Sequence, residues 1–247
     1  MTLARRTFKT WGTEDLHDEC RLYLVTSNDW LGRRTLATCV AEAIVGGVTM
    51  VLLRQKQHER VDMAKTAREL APVCRVANVP LIVNDDLDVA KIAGVDGIHI
   101  GQSDISCERA RRELGEGAVI GVTVDNLEDA GKAQEDGASY LMVGPIHTIE
   151  NQPDRPLVDI DVLEAVAFAS DIPVIAFGGL DADNLIELEG KGVSGAAFMA
   201  PILAASNIEK ATDKLNIVMN KVLEKPYRGE TAKERSLIDP VLFLDRF

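Results

Sequence analysis

The sequence holds no apolar run approaching the roughly 18 residues that a membrane-spanning helix requires. A secretory leader is not expected, because Arg5, Arg6 and Lys9 are followed by no apolar stretch. Cysteine is sparse. Cys20, Cys39, Cys74 and Cys107 stand far apart, without a C-x-x-C pair or a partnering histidine spacing. That argues against a zinc site and for reduced thiols in a cytoplasmic protein. Positive charge is short as well: 27 Lys and Arg face 39 Asp and Glu, a net charge of −12. Duplex nucleic acid needs a basic face and an anionic membrane attracts cations, so neither nucleic acid nor membrane is an expected partner. A phosphorylated small molecule is still admissible, since a few local cations suffice to hold one. Histidine occurs four times, and no Ser/His/Asp nucleophile set is apparent.

What is present is a repeating pattern. Eight short runs rich in Val, Ile and Leu fall at 22–26, 49–53, 80–84, 97–100, 119–122, 140–143, 173–176 and 195–199. Their weak alternation is that of parallel strands buried on both faces. Amphipathic stretches lie between them, at 34–45, 60–76, 88–93, 106–114, 127–136, 160–168, 182–190 and 208–223. Gly46-Gly47-Val48, Gly94-Val95, Gly137-Ala138 and Gly192-Val193 each precede a run, where glycine ends a helix and opens a short loop. Eight such units in 247 residues predict one (β/α)8 barrel (the TIM-barrel class) over 21–223. A doubly wound open sheet is the alternative fold. Residues 1–20 are read as an extension exposed to solvent. Residues 224–247 break the pattern with Pro226, Pro240 and an apolar patch. They leave three roles open: a tail, a cover on the barrel, or a contact in a homo-oligomer.

Active sites of such barrels form at the C-terminal strand ends, so the residue closing each run matters. The second run ends in Arg54-Gln55-Lys56, whose two cations can address one anion or simply face solvent. The third ends in Asn84-Asp85-Asp86 and the fourth in Gly101-Gln102-Ser103-Asp104. Asp85 and Asp104 suit a divalent ion shared with a phosphorylated substrate, or else cap the helices that follow. The fifth ends in Thr123, whose hydroxyl can bond a phosphate or heterocycle. The sixth ends in Gly144-Pro145-Ile146-His147, followed by a polar loop with Gln152 and Arg155. The seventh ends in Gly178-Gly179, where backbone N–H groups can approach a phosphate, and the eighth leads into Ala200. His99 lies inside its run and is read as a core side chain.

These segments resemble, in order and spacing, the thiamine phosphate synthase family, which includes the related thiazole tautomerase. The resemblance rests on Gly46–Thr49, Leu53-Arg54-Gln55-Lys56, Ile82-Val83-Asn84-Asp85, Gly97–Asp104, Ile120–Thr123, Val143–Ile146 and Ile172–Gly179. It implies a transferase that joins a hydroxymethylpyrimidine diphosphate to a thiazole phosphate and releases pyrophosphate by a dissociative mechanism. It implies that Arg54, Lys56 and Asn84 bind the diphosphate, that Asp85 and Asp104 hold Mg2+, and that Thr123 replaces a serine near the pyrimidine. Gly178, Gly179 and Ala200 would then lie at the thiazole phosphate. The sequence departs from the family in several further places. Leu52 stands for a glutamine, Gln55 for a glutamate or similar residue, and Ala200 for a serine. The loop after the sixth run reads Ile149-Glu150-Asn151-Gln152 where the family carries Thr-x-Thr-Lys. Arg155 is the nearest cation that can restore the missing charge. The alternatives are a tautomerase, for which His147 is the one candidate base, and a phosphate-binding barrel that is non-catalytic or takes an altered substrate.

Overall fold

Each apolar run pairs with its neighbours in sequence. A computed structural model describes residues 13–55, 59–150 and 152–224, and in it eight parallel strands close into a barrel in the order β1 to β8. They are β1 (Leu22–Val25), β2 (Met50–Leu53), β3 (Leu81–Asn84), β4 (Gly97–Ile100), β5 (Val119–Val124), β6 (Tyr140–Val143), β7 (Val174–Phe177) and β8 (Gly195–Phe198). Closure sets Leu22 beside Ala196 and Leu24 beside Phe198. The open-sheet alternative is thereby excluded.

Alternation along the strands builds two shells, because successive side chains point to opposite faces. Outward residues such as Leu24, Val51, Leu53, Leu81 and Ile98 pack beneath the helices. Inward residues, among them Tyr23, Met50, Ile82, Val119, Tyr140 and Ile175, fill the barrel itself. The surrounding helices are α2 (Leu36–Val45), α3 (Arg60–Val76), α4 (Leu87–Ala93), α5 (Cys107–Leu114), α6 (Leu127–Glu135), α7 (Ile160–Ala169), α8 (Ala200–Leu203) and α9 (Ile208–Glu224), preceded by α1 (Thr13–Glu19). Of the glycines expected to end helices, Gly94 terminates α4 in the left-handed region at φ 75°, whereas Gly46 caps α2 in right-handed geometry at φ −74°.

Two expectations need correction. Residues 13–20 are not a solvated extension. Leu16 and Cys20 are 4% and 0% exposed and join the inward cluster with Tyr23 and Met50. The Cys20 carbonyl lies against the first residue of β8, so α1 closes the N-terminal end of the barrel. One leucine in a charged heptapeptide carries no periodic signal; only the open barrel end gives it a partner. The second correction concerns 182–190, which forms only a 3-10 turn at Leu185–Leu188. Asp181 Oδ1 accepts the N–H groups of Asp183 and Asn184, and Asn184 Nδ2 donates to the Gly179 carbonyl at 2.8 Å. Such local side-chain bonds compete with a regular helix. The roles considered for 224–247 lie outside the described residues.

Candidate functional site at the C-terminal strand ends

The inward alternation that places Leu52 and Ile82 in the barrel continues two residues on to Arg54 and Asn84. The Arg54 N–H donates to the Oγ1 of fully buried Thr26 at 3.0 Å, which ties the end of β2 to the end of β1. Burial lowers the pKa of the Arg54 guanidinium; Asp85 opposes the shift, Arg155 adds to it and Asp29 opposes it. Arginine keeps its proton in any such setting. The meaning of the shift is therefore spatial: Arg54 shares its surroundings with two carboxylates and a second cation.

That second cation reaches the mouth through the loop after β6. Gln152 N–H donates to the Ile149 carbonyl at 2.8 Å, and Arg155 N–H donates to the Gln152 carbonyl at 3.2 Å. The two successive turns bring the Arg155 guanidinium over the Phe177 ring, 5.2 Å from its centroid. Phe177 ends β7 and packs on the inward cluster, so the stacking holds Arg155 toward the barrel axis. Gln152 itself is exposed.

The acidic residues are settled by their local bonds. Asp86, not Asp85, caps α4, accepting the Val89 N–H at 2.9 Å. Ser106, not Asp104, caps α5. Asp85 turns off β3 at φ 64°, and its N–H donates to the His99 carbonyl at 2.9 Å. Asp104 Oδ2 accepts the Gly101 N–H at 2.7 Å. Both residues are thus tethered to the end of β4, and the capping alternative is removed for each. Among the described residues, no group of three or more His, Cys, Asp or Glu is arranged to hold a metal. Lys56 lies outside the described residues.

Thr123 is better anchored than its position in sequence suggests. Gln102 Nε2 donates to its carbonyl at 2.7 Å, and its Oγ1 lies 2.9 Å from His99 Nε2. His99 is a core residue, as expected, but it also touches this site. The missed signal was the strand period: His99 pairs with Gly121 across β4 and β5, so His99 and Thr123 share the inward face. Burial pushes the His99 pKa down to about 4, so the ring is neutral near pH 7.

Gly178 and Gly179 follow β7 at φ 94° and 62°. The loop after β6 is hydrogen-bonded onto them: Ile146 N–H donates to the Phe177 carbonyl and His147 N–H to the Gly178 carbonyl, both at 3.0 Å. A Cβ on Gly178 would lie 2.3 Å from Pro145 Cβ, and one on Gly179 would lie 2.6 Å from His147 Cβ. Glycine is required here by the sixth loop pressing on the seventh, besides any ligand. His147 Nε2 lies 3.3 Å from Glu187 Oε2 on the 3-10 turn, though not in line for a hydrogen bond. Ala200 is half-buried at the start of α8 and brings no polar side chain.

The sequence model of the family described as thiamine monophosphate synthase matches residues 22–202, which is the whole barrel from β1 to α8. The chain belongs to this family. It is 36% identical over 203 residues to the thiamine-phosphate synthase of Clostridium tetani, covering 82% of this chain and 97% of the relative. It is 37% identical over 206 residues to that of Chloroflexus aurantiacus, covering 83% and 95%. A solved structure of thiamine phosphate pyrophosphorylase from Pyrococcus furiosus superposes with a TM-score of 0.77 at 29% identity, covering 84% of this chain and 99% of that one. Leu52 is inward-facing and 2% exposed, so the barrel is apolar at this position.

Proposed function

We infer that this protein is a thiamine phosphate synthase, a transferase that joins hydroxymethylpyrimidine diphosphate to a thiazole phosphate and releases pyrophosphate. The observation that carries the reading is the convergence of Arg54, Arg155 and Asp85 at one barrel mouth in a chain of this family. Two arginines that share a site with a carboxylate suit a diphosphate bound together with a cation.

In this reading Arg54, Lys56 and Asn84 bind the diphosphate, and Arg155 supplies the charge absent from the loop after β6. Asp85 and Asp104 hold Mg2+. The fit rests on their chemistry: neither is consumed as a helix cap, and Mg2+ needs only one or two carboxylates when phosphate oxygens and water complete its shell. Bound Mg2+ would supply charge neutralisation for the departing pyrophosphate. The cations at the mouth stabilise the same developing charge while the carbon–oxygen bond breaks. Thr123 lies beside the pyrimidine, and the thiazole nitrogen captures the cation that forms. The N–H groups around Gly178 and Gly179, with the turn at Ala200, receive the thiazole phosphate, and Gln152 lines that side. The partners are small phosphorylated molecules, and we place the protein in the cytoplasm.

The test is a coupled assay. Purified protein, Mg2+, the pyrimidine diphosphate and the thiazole phosphate should yield thiamine phosphate, and Asp104→Ala should abolish it. Absence of product, with Mg2+-dependent binding of the diphosphate retained, would overturn the assignment of the second substrate.

A further inference from the structure

A continuous line of hydrogen bonds runs up the inside of the barrel. The Tyr23 hydroxyl lies 2.8 Å from the Tyr140 hydroxyl, Tyr140 lies 3.0 Å from His99 Nδ1, and His99 Nε2 lies 2.9 Å from Thr123 Oγ1. The Tyr140 and His99 rings stack with centroids 5.6 Å apart, and the Tyr23 and Tyr140 rings meet edge to face at 5.8 Å. Room for this arrangement comes from Gly121. A Cβ there would lie 2.2 Å from the Tyr140 hydroxyl and 2.5 Å from His99 Nδ1. The two tyrosines are fully buried, His99 nearly so, and Thr123 is half-buried at the mouth.

Counting protons gives the line a direction. A neutral histidine carries one ring proton, and each hydroxyl carries one. The line therefore has one proton more than it has internal hydrogen bonds, and the surplus falls at one end or the other. If Thr123 donates to Nε2, then Nδ1–H donates to Tyr140, Tyr140 donates to Tyr23, and the surplus proton belongs to Tyr23. Among the described residues the Tyr23 hydroxyl bonds only Tyr140, so that proton would be buried and unsatisfied. An unmade bond on a buried donor costs roughly 1–3 kcal/mol. If the sense is reversed, Tyr23 donates to Tyr140, Tyr140 donates to Nδ1, and Nε2–H donates to Thr123. Every buried donor is then satisfied, and the surplus proton is that of the Thr123 hydroxyl at the mouth.

We propose that this line fixes His99 as its Nε2–H tautomer and leaves the Thr123 hydroxyl as a hydrogen-bond donor to a lone-pair acceptor on the bound substrate, with Tyr23 as the anchor that sets the direction. His99 is then a positioning residue that acts through Thr123. The part concerning substrate rests on the synthase reading; the tautomer does not. Burial, which keeps His99 neutral near pH 7, is consistent with it.

Two measurements on the full-length protein test the proposal. Nitrogen NMR with ring-labelled histidine, using His99→Gln to assign the signal, should show a protonated Nε2 and a bare Nδ1. A protonated Nδ1 would overturn the direction, whatever the protein's activity. The second measurement is a double-mutant cycle on kcat/KM for the pyrimidine diphosphate. Thr123→Val should lower it roughly tenfold, the scale of one lost hydrogen bond, while Thr123→Ser restores it. His99→Leu in the Thr123→Val background should cause no further loss, because both changes remove one interaction. Fully additive losses would overturn the positioning role and leave His99 as core packing alone.

Discussion

Gly178→Ala separates backbone strain from collision at the seam between the sixth and seventh units. At φ 94° an L-residue is outside its favoured regions, which costs roughly 1–2 kcal/mol. The new Cβ would also lie 2.3 Å from Pro145 Cβ and 2.5 Å from Pro145 Cα. A proline ring and a backbone carbon cannot swing aside as a flexible side-chain end can. Overpacking of this kind adds about 1–3 kcal/mol. Gly190→Ala is the matched control. Its φ is 75°, also positive, but nothing lies within 4 Å of the Cβ it would acquire. It should therefore carry the backbone cost alone. For a domain of this size each kcal/mol moves Tm by roughly 2–4 °C. Calorimetry should then find Gly178→Ala below Gly190→Ala by roughly 2–12 °C. Gly178→Ala should also lose turnover as the loop carrying Arg155 is displaced, whereas Gly190→Ala keeps it. Equal Tm values for the two variants would refute the claim that the sixth loop is what demands glycine at the end of β7.

Other outcomes follow from the same geometry. Leu16→Ala should destabilise the barrel by about 2–5 kcal/mol in urea titration, since α1 closes its N-terminal end; an effect near zero would return residues 13–20 to solvent. Arg155→Ala should raise KM for the pyrimidine diphosphate and Arg155→Lys should recover part of the loss; an unchanged KM would remove Arg155 from the site. Acid should weaken the fold through His99. Its folded pKa of about 4 lies below the ordinary 6.5, so the unfolded chain binds more protons between those values. That stability is fully present above pH 6.5 and is lost as pH falls through 4, a span of roughly 3 kcal/mol. Denaturant midpoints of wild type and His99→Gln should therefore diverge between pH 7 and pH 4.5, and parallel curves would count against it.

The sequence by itself determined the barrel. Eight apolar runs can all be buried only if each is covered on both faces, and the glycines before four of them set the loops that return the chain. It also placed Arg54, Asn84, Asp85, Asp104 and Thr123 at or just beyond the ends of runs, and the structure finds them at the C-terminal ends of β2 to β5. Tertiary structure decided what no local pattern contains. Whether Asp85 or Asp86 caps α4 depends on which one the turn leaves facing the Val89 N–H. Whether Arg155 reaches the mouth depends on Phe177, contributed by another strand. Leu16 has no periodicity to advertise it, and its burial exists only because a closed barrel has an open end. The line from Tyr23 to Thr123 belongs to no segment at all, because its members come from four strands that only the closed barrel brings together.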